Sequence, residues 1–494
     1  MRIAIVHYHL QTGGVTRIIE CAAKALKQRQ VSLVVLTGEL PSRPLGADVR
    51  TIPRLAYEEH RSAGTPADLA DDLMREARDA LGALPDVWHV HNHTLGKNLL
   101  LPGALRHLIQ AGQMLFLQIH DFAEDSRPFL YRRLLSKIGN NSVSKLSEDI
   151  YPNNRQIHYG VLTQRDRRLL LTAGGDPARI HLLPNPVEQS NISCRPHVPE
   201  HVKERIWLYP TRAIRRKNIG EFLLWSSICD PHDRFVTTLA PLNPREQIFY
   251  KHWCRLAEEL KLPVIFEAGL DKTRDYQEWL HAAYAIITTS VAEGYGMAFL
   301  EPWMIGKPLY GRNLADITAD FNNDGIQLTC LYDRLWVPID WIGRDSLVKK
   351  IRDALSAQDL VYGHQAKPDD LDRFMAAWTR ENRVDFGRLD EVLQTAIIRR
   401  LHGSLQARKE IRPFCLDSCS IDLDTIVSNQ RVLSDKYSLT GYARRLMQVY
   451  QEIADSGDVS GEALDGSRIL DFFLEPEHFS LLRVDIPLDQ NDIQ

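Results

Sequence analysis

Ile3-Ala4-Ile5-Val6, then Gly13-Gly14, then the run from Val31 to Leu36 frame the stretch that decides the fold. The first segment is short and apolar and reads as a buried strand. A polar turn carrying the two glycines follows. From Val15 to about Arg29, Ile18, Ile19, Ala22, Ala25 and Leu26 recur on one side of a helix, and Val31 to Leu36 is a second apolar strand. Strand, glycine turn, helix and strand make a βαβ unit of a parallel sheet. Further strands are expected at Val87 to Val90, Met114 to Ile119 and Ile157 to Leu162. Pro, Asn and Ser collect from Pro184-Asn185-Pro186 to Pro199, and there the pattern restarts. Strands are expected at Ile206 to Tyr209, Arg234 to Leu239, Val264 to Glu267 and Ala285 to Thr289, with helices between them. The fold class is therefore α/β, with two consecutive doubly wound domains at 1–190 and 191–403. Beyond residue 404 the pattern weakens. Residues 404–494 are set apart as a partly helical extension, with a helix from Tyr442 to Ile453. Open α/β sheets bind ligands at the carboxyl ends of their strands, and most of the residues singled out below lie just after one.

At 494 residues the chain fits two or three domains. Hydrophobic residues make up 44%, far from a disordered composition. Sixty basic and 64 acidic residues leave a formal net charge of −4, which gives no argument for a nucleic-acid partner. No apolar run is long enough to span a bilayer, and the N-terminus reads as a strand rather than a signal peptide. The seven cysteines are scattered without a CxxC pair, and Cys415 and Cys419 form only a CxxxC. That usage suits a reducing compartment without a disulfide framework, so a cytoplasmic setting is expected. The sequence does not set the oligomeric state.

Glu293-Gly294-Tyr295-Gly296-Met297-Ala298-Phe299-Leu300-Glu301 places two carboxylates around a Gly-x-Gly loop, ahead of an expected helix from Phe299 to Ile305. Glycines let backbone amides approach an anion, and a helix N-terminus adds partial positive charge. A carboxylate accepts the two hydroxyls of a vicinal diol. Together these describe a place for a sugar attached to a phosphate; an ordinary loop and cap is the competing reading. Tyr209-Pro210-Thr211-Arg212-Ala213-Ile214-Arg215-Arg216-Lys217-Asn218 sets three arginines and a lysine at a strand-to-helix turn, donors suited to a diphosphate. A solvated basic turn is the alternative, and Arg215 and Arg216 are expected to be solvated or to face an acceptor. Gly13-Gly14 is not a G-x-G-x-x-G fingerprint, and no acidic residue ends the second strand, which argues against a nicotinamide enzyme. His89-Val90-His91-Asn92-His93 alternates three histidines, expected on one face of a strand end. No nearby carboxylate or cysteine completes a zinc set. His120-Asp121-Phe122-Ala123-Glu124-Asp125-Ser126-Arg127 follows another strand and is a polar loop.

The two glutamates, with Arg212 and Lys217 five apart, resemble the E-x7-E and G-R-x4-K-G-like motifs of retaining GT-B glycosyltransferases, family 4 in particular. The resemblance covers about residues 1 to 400. It implies two Rossmann-like domains facing a cleft, and transfer of a hexose from a nucleotide-diphosphate sugar to an acceptor hydroxyl with retention and without a metal or other cofactor. Arg212, Lys217, Glu293 and His120 would serve the reaction, His120 by contacting the transferred sugar. The donor would meet Gly13, Gly14, Asn185, Glu267, Gly294, Tyr295, Gly296, Met297 and Glu301. The acceptor would meet His91, Asn92, Asp121 and Arg127. Thr211 and Asn218 stand where the motif has glycine, as does Pro186 in the V-x-P-N-G-like Leu183-Pro184-Asn185-Pro186. The basic loop with Arg127, Arg132 and Arg133 fits a small anionic acceptor such as a phosphorylated sugar or glycerate. A phosphorylase, a nucleotide-sugar epimerase and a non-catalytic sugar-nucleotide sensor remain as alternatives. A pyridoxal-phosphate absorption band would favour the first, and slow hydrolysis of a donor sugar would argue against the last.

Overall fold

The structure is a computed structural model and describes residues 1–188, 204–271, 274–363, 367–411, 416, 419–455 and 461–484. Most of the proline-rich break after Pro186, and Cys415, lie outside the described residues. The chain divides into two compact units, Met1–Glu188 with Asp435–Leu474, and Gln189–Ser434 with Glu475–Gln494.

The first unit is built on a seven-stranded parallel sheet. Its strands are β1 (Arg2–His7), β2 (Ser32–Thr37), β3 (Asp48–Thr51), β4 (Val87–His91), β5 (Leu115–Gln118), β6 (Ile157–Val161) and β7 (Ile180–Leu182). They lie in the order β3-β2-β1-β4-β5-β6-β7. Ile5 pairs with Val35 on one side and His89 on the other, so β1 is central and buried on both faces. That accounts for its unbroken apolar run. The order reverses between β1 and β4, which makes the carboxyl ends of these two strands the switch point where such sheets take ligands.

The glycine turn leads into a helix, Gly14–Lys27, whose Ile18, Ile19, Ala22, Ala25 and Leu26 face the sheet and one later helix. That helix, Leu439–Ala454, comes from the far end of the chain. Ser438 caps it by accepting a hydrogen bond from the Gly441 amide. Its Tyr442, Ala443, Leu446, Val449, Tyr450 and Ile453 fall at helical spacing and join the same core. Residues after 404 are thus shared, Asp435–Leu474 belonging to the first unit and the flanking parts to the second.

The second unit repeats the plan. Its strands β8 (Arg205–Arg212), β9 (Asp233–Leu239), β10 (Val264–Ile265), β11 (Ala283–Thr288), β12 (Leu309–Arg312) and β13 (Leu331–Tyr332) lie in the order β10-β9-β8-β11-β12-β13, with every pair parallel. Its switch point falls between β8 and β11. A small antiparallel sheet of β14 (Trp336–Pro338), β15 (Thr379–Arg380) and β16 (Arg383–Asp385) is added. The segment returning after Glu475 stacks Phe479 on buried Trp378 at 5.8 Å, and the Trp378 indole donates to the Pro476 carbonyl at 3.0 Å.

One expectation is corrected here. Cys419 is bonded to Cys330 across 89 residues of sequence, so the chain does carry a disulfide. Local cysteine spacing could not reveal a pair joined by the return of the tail. No helix among the described residues is long and apolar enough to cross a membrane.

Candidate functional site

In the second unit, the loops leaving β8 and β11 meet at the switch point. Arg212 ends β8 after a register shift that follows Tyr209, and its guanidinium donates to the Ala240 carbonyl at 2.8 Å. Arg215 to Lys217 form one 3-10 turn, closed by Asn218 at φ 51° and ψ 59°. This left-handed residue explains why asparagine can replace glycine there, since Asn is the non-glycine side chain that best tolerates the region. Its amide side chain donates to Glu221 at 2.9 Å and accepts from Gln394 at 2.9 Å, which fixes the turn to two helices.

Lys217 is ion-paired with Glu293 across 76 residues of sequence, and both side chains are nearly buried. The Ser290 hydroxyl donates to the same carboxylate at 2.7 Å and is itself in contact with the Tyr209 hydroxyl at 2.8 Å. Burial pushes the Glu293 carboxyl up, but the Lys217 and Arg216 cations outweigh it and hold the group below the usual carboxylate range. The Val291 amide donates to the Arg216 carbonyl at 2.9 Å and ties the two loops at a second point. Ser290 and Tyr209 were not singled out from sequence; a serine three residues before Glu293 carries no local signal.

Gly294 to Met297 continue from Glu293. Tyr295 is buried edge-on to Phe321 at 5.6 Å. Gly296 has φ 93°, and a Cβ there would lie 2.7 Å from Ile317, so this position requires glycine. The expected helix from Phe299 to Ile305 is corrected. Met297–Phe299 is a 3-10 turn, and Glu301–Met304 is a separate helix of four residues. Pro302 permits a first turn, Gly306-Lys307-Pro308 ends it, and the Trp303 indole bridges the pieces by donating to the Phe299 carbonyl at 2.8 Å. So short a helix has almost no macrodipole. Glu301 opens it. Glu267 is left-handed at φ 57° and accepts from the Tyr250 hydroxyl at 3.2 Å.

The expectation of a solvated Arg215 is also corrected. Its guanidinium makes a two-bond pair with Glu391 at 2.6 and 2.9 Å, donates to the Val484 carbonyl at 3.0 Å, and covers the Phe249 ring at 4.0 Å. It is a structural clasp between the basic turn and the returning tail.

In the first unit, the histidines gather at the carboxyl ends of β1, β4 and β5. His89 and His91 share one face of β4, with ring centroids 4.2 Å apart. His93 does not share it: β4 stops at His91, Asn92 turns left-handed at φ 57°, and the His93 Nε2 contacts the Ile150 carbonyl at 2.8 Å. The Asn92 oxygen accepts from the His120 and Asp121 amides at 2.8 and 3.1 Å and fixes the loop after β5. His120 meets His91 at 2.8 Å, and His89 lies between Gln118 and Tyr450, each at 2.8 Å. Burial pulls the imidazoles down, to about 3 for His7 and His89 and about 4 for His120. They are neutral at physiological pH and offer hydrogen bonds rather than charge. Among the described residues no three His, Cys, Asp or Glu side chains are placed to hold a metal ion.

Asp121 and Arg127 face each other at 2.6 Å, and Arg127 also donates to the Phe122 and Asp125 carbonyls at 2.8 and 3.3 Å. Gly13 precedes the Gly14–Lys27 helix without a side-chain cap, and Gly14 has open space at its Cβ position. Asn185 is buried near the end of this part of the unit.

Comparison with known proteins agrees with this architecture. The chain is 24% identical over 486 residues to a mannosylglucosyl-3-phosphoglycerate synthase of Petrotoga mobilis, covering 92% of each chain. HepE of Anabaena, solved with UDP and glucose, matches with a TM-score of 0.54 at 11% identity, over 91% of this chain and 99% of that one. Sucrose-phosphate synthase from Thermosynechococcus elongatus matches with a TM-score of 0.53 at 13% identity, over 92% and 98%. No family model matches. The fold is GT-B, two Rossmann-like domains each on a parallel sheet. Together these comparisons support a glycosyltransferase.

Proposed function

We propose that the chain is a retaining, metal-independent glycosyltransferase that moves a hexose from a nucleotide-diphosphate sugar to a hydroxyl of a small phosphorylated acceptor. The observation that carries this reading is the Lys217–Glu293 pair at the switch point of the second unit. It sets a cation for the diphosphate beside a carboxylate for the sugar. Arg212 and Lys217 stabilise the charge that builds on the leaving diphosphate. Glu293 receives hydroxyls of the transferred hexose, and Glu301 receives those of the ribose. His120, neutral and held by Asn92 and His91, offers the sugar a hydrogen bond. The acceptor oxygen attacks the anomeric carbon as the bond from that carbon to the diphosphate oxygen breaks, and the acceptor proton passes to the departing phosphate. This front-face course gives retention and needs no carboxylate nucleophile.

The phosphorylated acceptor is supported by the Petrotoga relative, whose name specifies a phosphoglycerate glycoside. Screening nucleotide sugars for thermal stabilisation, then assaying transfer from the one that binds, tests the reading. A donor at ~100 times its Kd adds roughly 2.7 kcal/mol. Failure of every nucleotide sugar to stabilise the chain would overturn it, and loss of activity in EDTA restored by Mg²⁺ or Mn²⁺ would overturn the metal-independent part.

A further inference from the structure

Two of the three arginines that the sequence offers for an anionic acceptor are already engaged, and the third, Arg132, is exposed. Arg127 is held by Asp121 and two carbonyls, and Arg133 by Glu59 at 3.1 Å and the Gly96 carbonyl at 2.5 Å. Lys97 differs. It is half-buried, and its ammonium has no hydrogen-bonding or ion-pair partner among the described residues. Other shielded lysines have theirs: Lys217 has Glu293, Lys350 has Asp390, and Lys307 has two carbonyls. The Lys97 Nζ instead stands 5.0 Å from the centre of the Tyr57 ring, a placement that a cation accepts over an aromatic face.

Tyr57 keeps a donor of its own. The Gln11 amide donates to His9 Nδ1 at 3.3 Å, so the imidazole proton resides on Nε2, which then donates to the Tyr57 oxygen at 2.9 Å. The hydroxyl hydrogen of Tyr57 is left to donate elsewhere. The backbone fixes this arrangement. The Glu58 amide donates to the Lys97 carbonyl at 2.7 Å, and the Asn98 side chain donates to the Arg54 and Ala56 carbonyls, both at 2.7 Å. His9, Tyr57 and Lys97 follow β1, β3 and β4, at the carboxyl edge beside the switch point of the first unit. Glu39, Asp121 and Glu59 are the nearby carboxylates; Asp121 is taken by Arg127 and Glu59 by Arg133. Desolvation weakens the hold of Lys97 on its proton, so an arriving oxyanion would relieve a cost already present.

We infer that Lys97, together with the Tyr57 hydroxyl, recognises the oxyanion of the acceptor, a phosphate monoester or a carboxylate. This rests on the glycosyltransferase reading and deepens it. Lysine is a point charge with three donors and takes either group, whereas a two-pronged arginine site would favour a planar fork.

The test titrates the full-length chain with inorganic phosphate and, separately, with D-glycerate by calorimetry. It compares wild type with Lys97→Met and Lys97→Arg, all repeated in a Lys217→Met background so that donor-side phosphate binding drops out of the difference. Lys97→Met keeps the apolar stem over Tyr57 and removes the charge. Binding of one anion at least tenfold weaker in Lys97→Met, and within about threefold of wild type in Lys97→Arg, is the expected result; the anion that responds identifies the group recognised. Equal binding in wild type and Lys97→Met, no binding of either anion to wild type, or equal loss in both variants would overturn the inference. A nucleotide-sugar melting screen on the same proteins reads the glycosyltransferase assignment separately.

Discussion

Lys217 and Glu293 are 76 residues apart in sequence and form an ion pair whose side chains are 13% and 9% exposed. Breaking a buried pair by removing one partner strands the other charge, at about 3–5 kcal/mol. Lys217→Met and Glu293→Gln should therefore each destabilise more than their separate contacts suggest, and the double variant should recover part of the loss. A double-mutant cycle by denaturant unfolding should give a coupling of about 1–3 kcal/mol. Additive losses would mean that the pair does not persist in solution. The pair also sets a pH dependence. Because the folded Glu293 carboxyl lies below its ordinary value of 4.5, its contribution is present above that value and is lost as pH falls through the folded one.

The same pair separates the roles of the two glutamates. Glu293→Gln should lower turnover by about 10²-fold, while nucleoside-diphosphate affinity stays the same or tightens because Lys217 loses an internal competitor. Glu301→Gln should chiefly weaken nucleoside-diphosphate binding. An interaction made only with the reacting sugar shows in turnover rather than in nucleotide affinity. Calorimetry with the nucleotide alone, set beside turnover, checks this; equal loss of affinity in both variants would show the assignment reversed.

Glu124 is fully buried, and its carboxylate accepts from the Tyr151 hydroxyl at 3.1 and 3.2 Å. Desolvation raises its carboxyl from 4.5 to about 7. A folded value above the unfolded one means that the stabilisation is complete below pH 4.5 and is lost as pH rises through about 7. A rise of this size corresponds to about 3 kcal/mol. Glu124→Gln should flatten the stability profile between these limits, as read by melting temperature against pH; an unchanged profile would remove Glu124 as its source.

The Cys330–Cys419 bond closes a loop of 89 residues. Loop-closure entropy assigns such a cross-link about 4–5 kcal/mol. Dithiothreitol should lower the melting temperature of the wild type and leave that of a Cys330→Ser, Cys419→Ser variant unmoved. Equal response of the two proteins would exclude the bond as the cause.

The central strands were legible because β1, β2, β8 and β11 are apolar runs buried in the middle of parallel sheets. Of the four edge strands of the two parallel sheets, β10 was read, as Val264 to Glu267, while β3, β7 and β13 were not. Asp48-Val49-Arg50-Thr51 is half-exposed and polar, and β7 and β13 are only three and two residues long, so neither carries a periodic signal. In the candidate site, Lys217 and Glu293 were each readable from local spacing, and the fold places them in contact. Arg215 was misread because its partner Glu391 lies 176 residues away. Lys97 was missed for the converse reason: what distinguishes it is a partner it lacks, and no local pattern records that.

The helix Leu439–Ala454 fills a face of the first unit otherwise formed by residues synthesised hundreds of positions earlier, and its Tyr450 reaches His89 across 361 residues. During translation, Ile18, Ile19, Ala22 and Leu26 leave the ribosome long before the helix that covers them. Domains generally fold as units during synthesis, and apolar surface exposed in the interval invites aggregation. Here the N-terminal unit cannot close in order of emergence. Its completion waits until the nascent chain has passed Ala454, so the second sheet is made before the first is sealed.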